Sequence, residues 1–334
     1  SDAPRTVFGC LLTALRRRRE AGVAPFTVMS CDNIPENGKL TRTITCRLAQ
    51  AQSSNFSNWV AANVAFPNSM VDCITPAVSE RERHFVQKRF GIADPRPVVC
   101  EPYRQWVLED NFPNGRPALE RVGVEFVADV TSYELMKLRI LNGGHAAIAY
   151  PAAVLGIHQV HEAMQHPAIL AYLRKLVGEE IIPTLPAVAD VDFHQYFETV
   201  CGRFLNSAVA DTIERLCIDG SSRQPKFVLP TIQSRLEAGE SIDGLALELA
   251  LWCRYCAGVD QEGTAITIVD VNAEALTQHA QRARTDPDAF LELEMVFGSL
   301  GKAPALRRAF SSALETVWKT GVANTLRNYT RCSA

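Results

Sequence analysis

The sequence lacks the features of membrane and secreted proteins. No stretch approaches the roughly 20 continuous apolar residues of a membrane span, and the N-terminus lacks the charged-then-apolar order of a signal peptide. The ten cysteines are scattered over 334 residues and do not form a compact framework. This pattern favours free thiols in a reducing compartment. We therefore expect a cytosolic protein that does not bind membranes.

The sequence also lacks an excess of charge. The formal net charge is -3, the pI is about 6.2, and the one dense basic run is Arg16 to Arg19. That run closes a helical pattern just before Gly22, where cations favour the negative end of a helix. Nucleic acid is therefore not an expected partner.

Metal and dinucleotide motifs are missing as well. Cys253 and Cys256 form one CxxC inside a helical pattern, but no second ligand pair has suitable spacing. We interpret them as buried small side chains and expect no metal. A dinucleotide cradle needs a strand, a Gly-rich turn and a helix, and no GxGxxG occurs in these residues. The residues that bind a cofactor are therefore unknown from this sequence.

Two domains are predicted, with a boundary near residue 130 that is set by a change of pattern. The length and the 47% hydrophobic content allow two sizeable cores. Residues 1–130 alternate between helical and strand-like patterns and fit the second part of a Rossmann-like dinucleotide-binding domain. The predicted helices are 5–21 and 41–65, and the predicted strands are 26–30, 97–101 and 122–130, with 104–109 as a link.

Residues 131–334 have helical periodicity almost throughout. The predicted helices are 131–150, 152–165, 167–187, 193–206, 208–217, 226–238, 242–257, 271–284, 287–297 and 304–328. The fold class is therefore α/β followed by all-α. We expect the helical domain to carry the catalytic residues, with the site in a cleft against the sheet domain.

One stretch of the helical domain combines three functional side chains. Thr131 and Glu134 have capping-box spacing, so a helix should begin at Thr131. Lys137, Leu141 and His145 then follow at steps of four, with Asn142 beside His145. On spacing alone, a solvated lysine, a core histidine and an asparagine at a helix end explain this pattern better than a functional site does.

These residues could support alcohol oxidation without a metal. Burial can lower the pKa of a lysine to about 7 to 8, which suits a general base. Amide N–H groups can stabilise a developing alkoxide without titrating. Asn33 follows a predicted parallel strand, at the edge of the sheet where ligands usually bind. A turn residue that bonds its own backbone is the alternative for Asn33.

The stretch MKLRILNGGH, with its Lys-x4-Asn-x2-His pattern, resembles the catalytic motif of the mannitol 2-dehydrogenase family of polyol-specific long-chain dehydrogenases. Four further segments resemble the same family in the same order. They are MSCDNIPENG (29–38), NVAFPNSMVDCITP (63–76), CEPYRQWVLED (100–110) and DGSSRQPKFVLP (219–230). Together they extend over nearly the whole chain.

The resemblance implies a role for each candidate residue. Lys137 is implied as the general acid/base, Asn33 and Asn142 as oxyanion stabilisers, and His145 as a ligand of substrate hydroxyls. It also implies three substrate-binding residues: Asp72, Arg215 and Arg223. Without it, the two arginines would be interpreted as surface cations. Arg223 is a mild departure, because the family often has lysine there and arginine donates as a planar fork. Lys226 lies close enough in sequence to be confused with it.

The resulting hypothesis is a reversible, metal-independent oxidation of D-mannitol to D-fructose with NAD or NADP, of which NAD is favoured. The resemblance places the Gly-rich cofactor segment upstream of this sequence. The alternatives are a hexuronate reductase for fructuronate or tagaturonate, a dehydrogenase for arabinitol or sorbitol, and a non-catalytic helical interaction module. The expected partner is a small polyol or ketose, and the protein is expected to be a monomer or a small homo-oligomer.

Overall fold

The computed structural model describes residues 4–76 and 78–331. Its three strands are β1 (Ser69–Asp72), β2 (Gln105–Glu109) and β3 (Val124–Val127). The helices before residue 131 are α1 (Val7–Glu20), α2 (Asn37–Gln50), α3 (Ser54–Asn63) and α4 (Glu80–Phe90). Within these ranges, no helix combines the length and the apolar character that crossing a membrane requires.

Helices follow one another from Thr131 onward. They are α5 (Thr131–Met136), α6 (Gly143–Val154), α7 (Val160–Gln165), α8 (Pro167–Lys175), α9 (Phe193–Phe204), α10 (Ile213–Cys217), α11 (Gly220–Phe227), α12 (Leu229–Glu237), α13 (Asp243–Cys256), α14 (Ala273–Arg282), α15 (Asp288–Leu291), α16 (Glu294–Phe297), α17 (Pro304–Thr320) and α18 (Val322–Arg331). Two π-helical turns, Lys137–Asn142 and Leu176–Ile181, connect α5 to α6 and extend α8.

The chain divides into two compact units. The sheet unit comprises the chain up to Ile74 together with Glu101–Glu134, and the helical unit comprises Thr75–Cys100 and the chain from Leu135 onward. All three strands belong to the sheet unit. The segment Thr75–Cys100, which contains α4, groups with the helical unit although it precedes β2 in sequence.

The sheet unit contains a mixed three-stranded sheet. The strand order is β1-β2-β3, with β1 and β2 antiparallel and β2 and β3 parallel. Asp72 pairs with Gln105, and Trp106 pairs with Val124. The same unit has an apolar core formed by buried residues of α1, α2, α3 and the segments 26–28 and 64–66: Leu12, Leu15, Val28, Ala49, Phe56, Val60, Val64 and Phe66.

Two of the predicted strands are wrong, and two strands, β1 and β2, were not predicted. Residues 26–30 and 97–101 are not strands in the structure. The backbone N–H of Val28 donates to Ala65 O at 2.9 Å, but Pro67 has no N–H with which to continue a ladder. Val98 is 77% exposed, so the β-branched run around it is not a buried strand. The predicted link over 104–109 contains β2, the central strand.

The helical unit is built around α13, which packs against α17 and α6. Every residue of α13 from Gly244 to Cys256 is buried, so this helix is enclosed on all sides and lies inside the unit. Helix α17 buries one stripe, consisting of Leu306, Phe310, Leu314 and Val317. Spacings of three and four residues put these side chains on one face.

Several predicted helices are shorter than expected because left-handed or bent backbone interrupts them. The predicted helix 304–328 is broken at Gly321, whose φ is +78°, a conformation that glycine adopts without strain. The predicted helix 41–65 is two helices, α2 and α3. The predicted helix 226–238 is preceded by a helix that was not predicted, α11, so Arg223 lies on a helix.

Candidate active site

The helical segment that carries Lys137 begins at Thr131, as predicted. The predicted capping box does not form. Instead, the Asp129 carboxylate accepts hydrogen bonds from Thr131 N (2.9 Å) and Thr131 Oγ1 (2.6 Å). The Glu134 carboxylate accepts the backbone N–H of Glu36 at 3.2 Å and 3.4 Å. Burial raises the pKa of Glu134 to about 7.

The turn from Lys137 to Asn142 is π-helical. In a regular α-helix, residues five apart point about 140° away from each other, at roughly 100° per residue. A π-turn closes its hydrogen bonds from i to i+5 and therefore stacks such residues. The wide turn thus brings Asn142 towards the side of Lys137, and it replaces the regular four-residue steps from which the shared face of Lys137, Leu141 and His145 was predicted.

The lysine of this motif is buried. Lys137 is 5% exposed, and its neighbours Ile140 and Leu141 are 0% and 4% exposed. Asn142 is half-buried, and Gly143 and Gly144 behind it are buried in α6. The glycines permit close packing, because a Cβ on Gly144 would already contact Leu173 at 3.6 Å and Phe204 at 3.7 Å.

His145 is held by a ring contact and has one unpaired nitrogen. Its imidazole stacks on Phe204, with centroids 4.2 Å apart and an angle of 19° between the rings. The Nε2 atom is shielded from solvent and has no hydrogen-bond partner within residues 4–76 and 78–331. A shielded polar atom without a partner is costly in a folded protein. It is therefore available for a ligand hydroxyl or carbonyl.

The environment of His145 keeps its ring neutral at pH 7. Burial lowers the pKa of His145 well below its ordinary value, and neighbouring cations lower it further. In order of effect, these cations are Arg215, Arg203, Arg223 and Lys137. A neutral imidazole has one nitrogen that donates and one that accepts, so this side chain can exchange hydrogen bonds with a hydroxyl.

The two predicted substrate arginines are anchored differently. Arg215 on α10 donates through Nε (2.5 Å) and Nη2 (2.6 Å) to the carboxylate of Asp211, which is 6% exposed. Arg223 on α11 donates through Nη1 to Leu216 O at 2.9 Å. Both guanidinium groups lower the pKa of His145. Lys226, in contrast, is exposed. Of the two cations, Arg223 is therefore the one whose charge acts on His145.

The first turn of helix α11, which carries Arg223, is closely packed. Asp219 precedes it with φ +55°, and the carboxylate of Asp270 accepts Ser221 N at 2.8 Å and Ser221 Oγ at 2.6 Å. A Cβ on Gly220 would lie 2.7 Å from Trp252 Nε1. The first turn of α11 therefore has no room to shift.

The other two predicted site residues lie in the sheet unit. Asn33 is in an exposed turn between the segment 26–30 and α2, and Asp72 is the last residue of β1 and is 5% exposed. The neighbouring Asn37 is fully buried and hydrogen-bonded to both segments. The structure thus places Lys137, Asn142, His145, Arg215 and Arg223 in the helical unit and Asn33 and Asp72 in the sheet unit.

Sequence reasoning missed three residues that contact or surround His145 and Arg215. Arg203 is 7% exposed and occupies a core position of α9, three residues after buried Val200. A charge at an apolar position of a helical repeat was the available signal. Asp211 is four residues before Arg215, a readable acid–base spacing. No sequence signal pairs Phe204 with His145, because the two residues are on different helices.

Two family models match this chain. The description "Mannitol dehydrogenase Rossmann domain" matches residues 1–121, and "Mannitol dehydrogenase C-terminal domain" matches residues 129–318. The chain belongs to the mannitol dehydrogenase family. The predicted fold class, a partial Rossmann-like domain followed by a mostly helical domain, is confirmed.

Named members of the mannitol dehydrogenase family are similar over nearly the whole chain. Mannitol 2-dehydrogenase of Cereibacter sphaeroides is 51% identical over 326 residues, which are 98% of this chain and 68% of that protein. Mannitol dehydrogenase 2 of Saccharomyces cerevisiae is 43% identical over 328 residues, which are 96% of this chain and 64% of that protein. The chain therefore spans about two thirds of the length of these relatives.

Two solved structures are similar in fold. Pseudomonas fluorescens mannitol 2-dehydrogenase, in a ternary complex with NAD and D-mannitol, is 41% identical with a TM-score of 0.86 and covers 99% of this chain. A D-sorbitol dehydrogenase in substrate-free form is 32% identical with a TM-score of 0.88 and covers 97% of this chain. In both cases the match covers 67% of the solved chain.

Proposed function

We propose that this chain supplies the substrate-binding and proton-transfer residues of an NAD-linked, metal-independent dehydrogenase that interconverts D-mannitol and D-fructose. The observation that carries the proposal is His145, with a shielded, unpartnered Nε2 and a neutral ring, in the same helical segment as buried Lys137. Membership of the mannitol dehydrogenase family and the NAD and mannitol complex of the Pseudomonas protein support it.

In this proposal the chain's residues hold the substrate and move one proton. Lys137 takes the proton of the reacting hydroxyl in the oxidation direction and returns it in the reduction direction. The amides of Asn33 and Asn142 donate to the alkoxide that develops. His145 binds a neighbouring hydroxyl through Nε2. NAD, when bound, accepts the hydride from the carbinol carbon.

The remaining polar residues bind the rest of the open-chain substrate. Arg215 and Arg223 act on the end of the polyol far from the reacting carbon, and Asp72 supplies a carboxylate for hydroxyl groups. Asp211 fixes one edge of the Arg215 guanidinium, which leaves Nη1 for the substrate. The chain has no GxGxxG, and we assign no residue to the pyrophosphate.

A hexuronate reductase is the second candidate, because three arginines act on His145: Arg203, Arg215 and Arg223. Arginine binds a carboxylate through two parallel hydrogen bonds. However, the Nε and Nη2 groups of Arg215 already donate to the Asp211 carboxylate. This pairing favours a neutral substrate. Comparing kcat/KM for fructose and fructuronate separates the two candidates. A higher value for fructuronate would replace the proposal.

The test of the proton-transfer role is Lys137→Ala in the enzyme that contains this chain. Loss of a general base lowers turnover about 100- to 10,000-fold, measured as NADH formed from NAD and mannitol. Lys226→Ala is the matched control, because Lys226 is exposed on α11, and it should keep full turnover. Retained turnover in Lys137→Ala, with an unchanged melting temperature, refutes the assignment.

Prolonged chelation should leave the rate unchanged, and a loss that zinc restores would refute metal independence.

A further inference from the structure

Asn37 links two segments of the sheet unit that are distant in sequence. It occupies the first position of α2 and is 0% exposed. Its Nδ2 donates to Asp32 O at 2.9 Å and to Ser69 O at 2.8 Å, and its Oδ1 accepts Ser69 N at 2.9 Å. One short side chain therefore satisfies three backbone groups.

The two linked segments each carry a residue of the proposed active site. Asp32 directly precedes Asn33, so the bond to Asp32 O anchors the turn next to that amide. Ser69 begins β1, and Asp72 ends it three residues later. Because a strand advances about 3.3 Å per residue and its register against β2 is set from Ser69 to Asp72, fixing Ser69 also fixes Asp72.

The start of α2 packs tightly against the segment before β1. Glu36 makes no side-chain cap. Asn68 replaces that cap, since its Oδ1 accepts Lys39 N at 3.0 Å. Asn68 is in turn held by the Glu109 carboxylate through N (2.8 Å) and Nδ2 (3.0 Å). A Cβ on Gly38 would lie 2.4 Å from Pro67 O, so the two segments are in direct backbone contact here.

We propose that Asn37 is a positioning residue, which sets the turn carrying Asn33 relative to the strand carrying Asp72. This inference rests on the roles that the proposed function gives to Asn33 and Asp72. A carboxamide donates two hydrogen bonds and accepts others from one planar group. Aspartate would place a carboxylate oxygen against the carbonyls of Asp32 and Ser69. Alanine would leave three backbone groups without this partner.

The first experiment does not depend on activity. Hydrogen–deuterium exchange is measured by mass spectrometry on peptides covering 31–38 and 66–72 in the wild type, Asn37→Ala and Thr45→Ala. Thr45 is the matched control. It is a fully buried polar residue of the same helix, and its Oγ1 donates to Thr41 O at 2.7 Å. Asn37→Ala should speed exchange in both peptides about tenfold or more, the equivalent of one lost hydrogen bond. Thr45→Ala should not.

The second experiment measures kcat in a double-mutant cycle. Asn33→Ala should lower kcat about 100-fold or more, as for loss of one oxyanion donor. Asn37→Ala should lower it about 10- to 100-fold by misplacing that donor. If Asn37 acts through Asn33, adding Asn37→Ala to Asn33→Ala should change kcat less than about threefold. Thr45→Ala should keep kcat near the wild-type value even if its melting temperature falls.

The outcomes separate this inference from the proposed function. Unchanged exchange of both peptides in Asn37→Ala overturns the inference, whatever the activity. A second result would also overturn it: Asn37→Ala lowers kcat by the same factor in the Asn33→Ala and Asp72→Ala variants as in the wild type. If Lys137→Ala retains turnover, the proposed function fails, and the exchange measurement still decides whether Asn37 holds the turn.

Discussion

The replacement Glu248→Gln should change how the stability of the helical unit depends on pH. Glu248 is on the buried helix α13 and is 1% exposed. Gln224 Nε2 donates to its Oε1 at 2.7 Å, while its Oε2 has no hydrogen-bond partner in the described part of the chain. Burial raises the pKa of Glu248 from its ordinary value of 4.5 to about 8. The folded protein therefore keeps a proton that the unfolded chain has lost.

The magnitude follows from the two pKa values. Between pH 4.5 and pH 8 the unfolded state binds fewer protons at this group than the folded state, so the free energy of unfolding falls as the pH rises. The slope is about 1.4 kcal/mol per pH unit, which gives a loss of roughly 3 to 4 kcal/mol between pH 5 and pH 8. Glutamine is neutral at both values and should remove this contribution.

Urea denaturation of the wild type and Glu248→Gln at several values from pH 5 to pH 8.5 measures the effect. Near pH 5 the two proteins should differ by about 1 kcal/mol or less, the worth of one changed hydrogen bond. At pH 8 the variant should be the more stable. Glu237→Gln, an exposed carboxyl on α12, should follow the wild type at every pH. Parallel pH profiles for the wild type and Glu248→Gln would refute a protonated Glu248.

Two further replacements test the supports of the arginines. Asp211→Asn should raise KM for mannitol about tenfold, equivalent to about 1.4 kcal/mol, because an amide cannot accept both donors of the Arg215 fork; steady-state kinetics measures this. Gly220→Ala should lower the free energy of unfolding by about 1 to 3 kcal/mol, because the new methyl group would lie 2.7 Å from the buried Trp252 ring nitrogen; urea denaturation measures this.

Each of these replacements has a control. Glu214→Gln removes an exposed carboxylate that pairs with an exposed histidine and should leave KM unchanged. Gly202→Ala adds a methyl group in α9 with nothing within 4 Å and should be neutral or slightly stabilising. An unchanged KM in Asp211→Asn, or a Gly220→Ala protein as stable as the wild type, would contradict the packing described here.

The sequence located the motif around Lys137 but not its geometry. The start of the helix at Thr131 was predicted correctly, although the capping box from which it was predicted does not form and Asp129 binds Thr131 instead. The π-turn was not readable, because one extra residue in a helical turn leaves no periodic signal over so few residues. The alignment of Lys137 with Asn142 therefore could not be derived from a 3.6-residue repeat.

The strands were the least predictable elements. Apolar β-branched runs report burial more reliably than pairing. Val28 is indeed buried at 6% exposure, yet it is not in a strand. The central strand β2 was interpreted as a link because Gln105 and Glu109 at its ends are polar. Both residues are half-buried. The pattern of polar and apolar residues therefore did not indicate which face of the strand is buried.

The supporting shell around the site depends on contacts between helices, which a single sequence does not encode. The contact of Phe204 with His145 joins α9 to α6, and Asp270 holds α11 from a loop about 50 residues away. Asp211 was the exception, because its partner lies four residues on in the same segment. Local pairs were thus open to prediction, whereas pairs made by tertiary packing were not.

The wide turn between Lys137 and Asn142 has a consequence for protein engineering. A loop on the surface tolerates added or deleted residues, but here the count of residues between two side chains sets their alignment. Removing one residue would rotate Asn142, His145 and all of α6 by about 100° against Lys137. Anyone who transplants this motif onto a designed bundle must therefore copy the irregular turn together with the functional side chains.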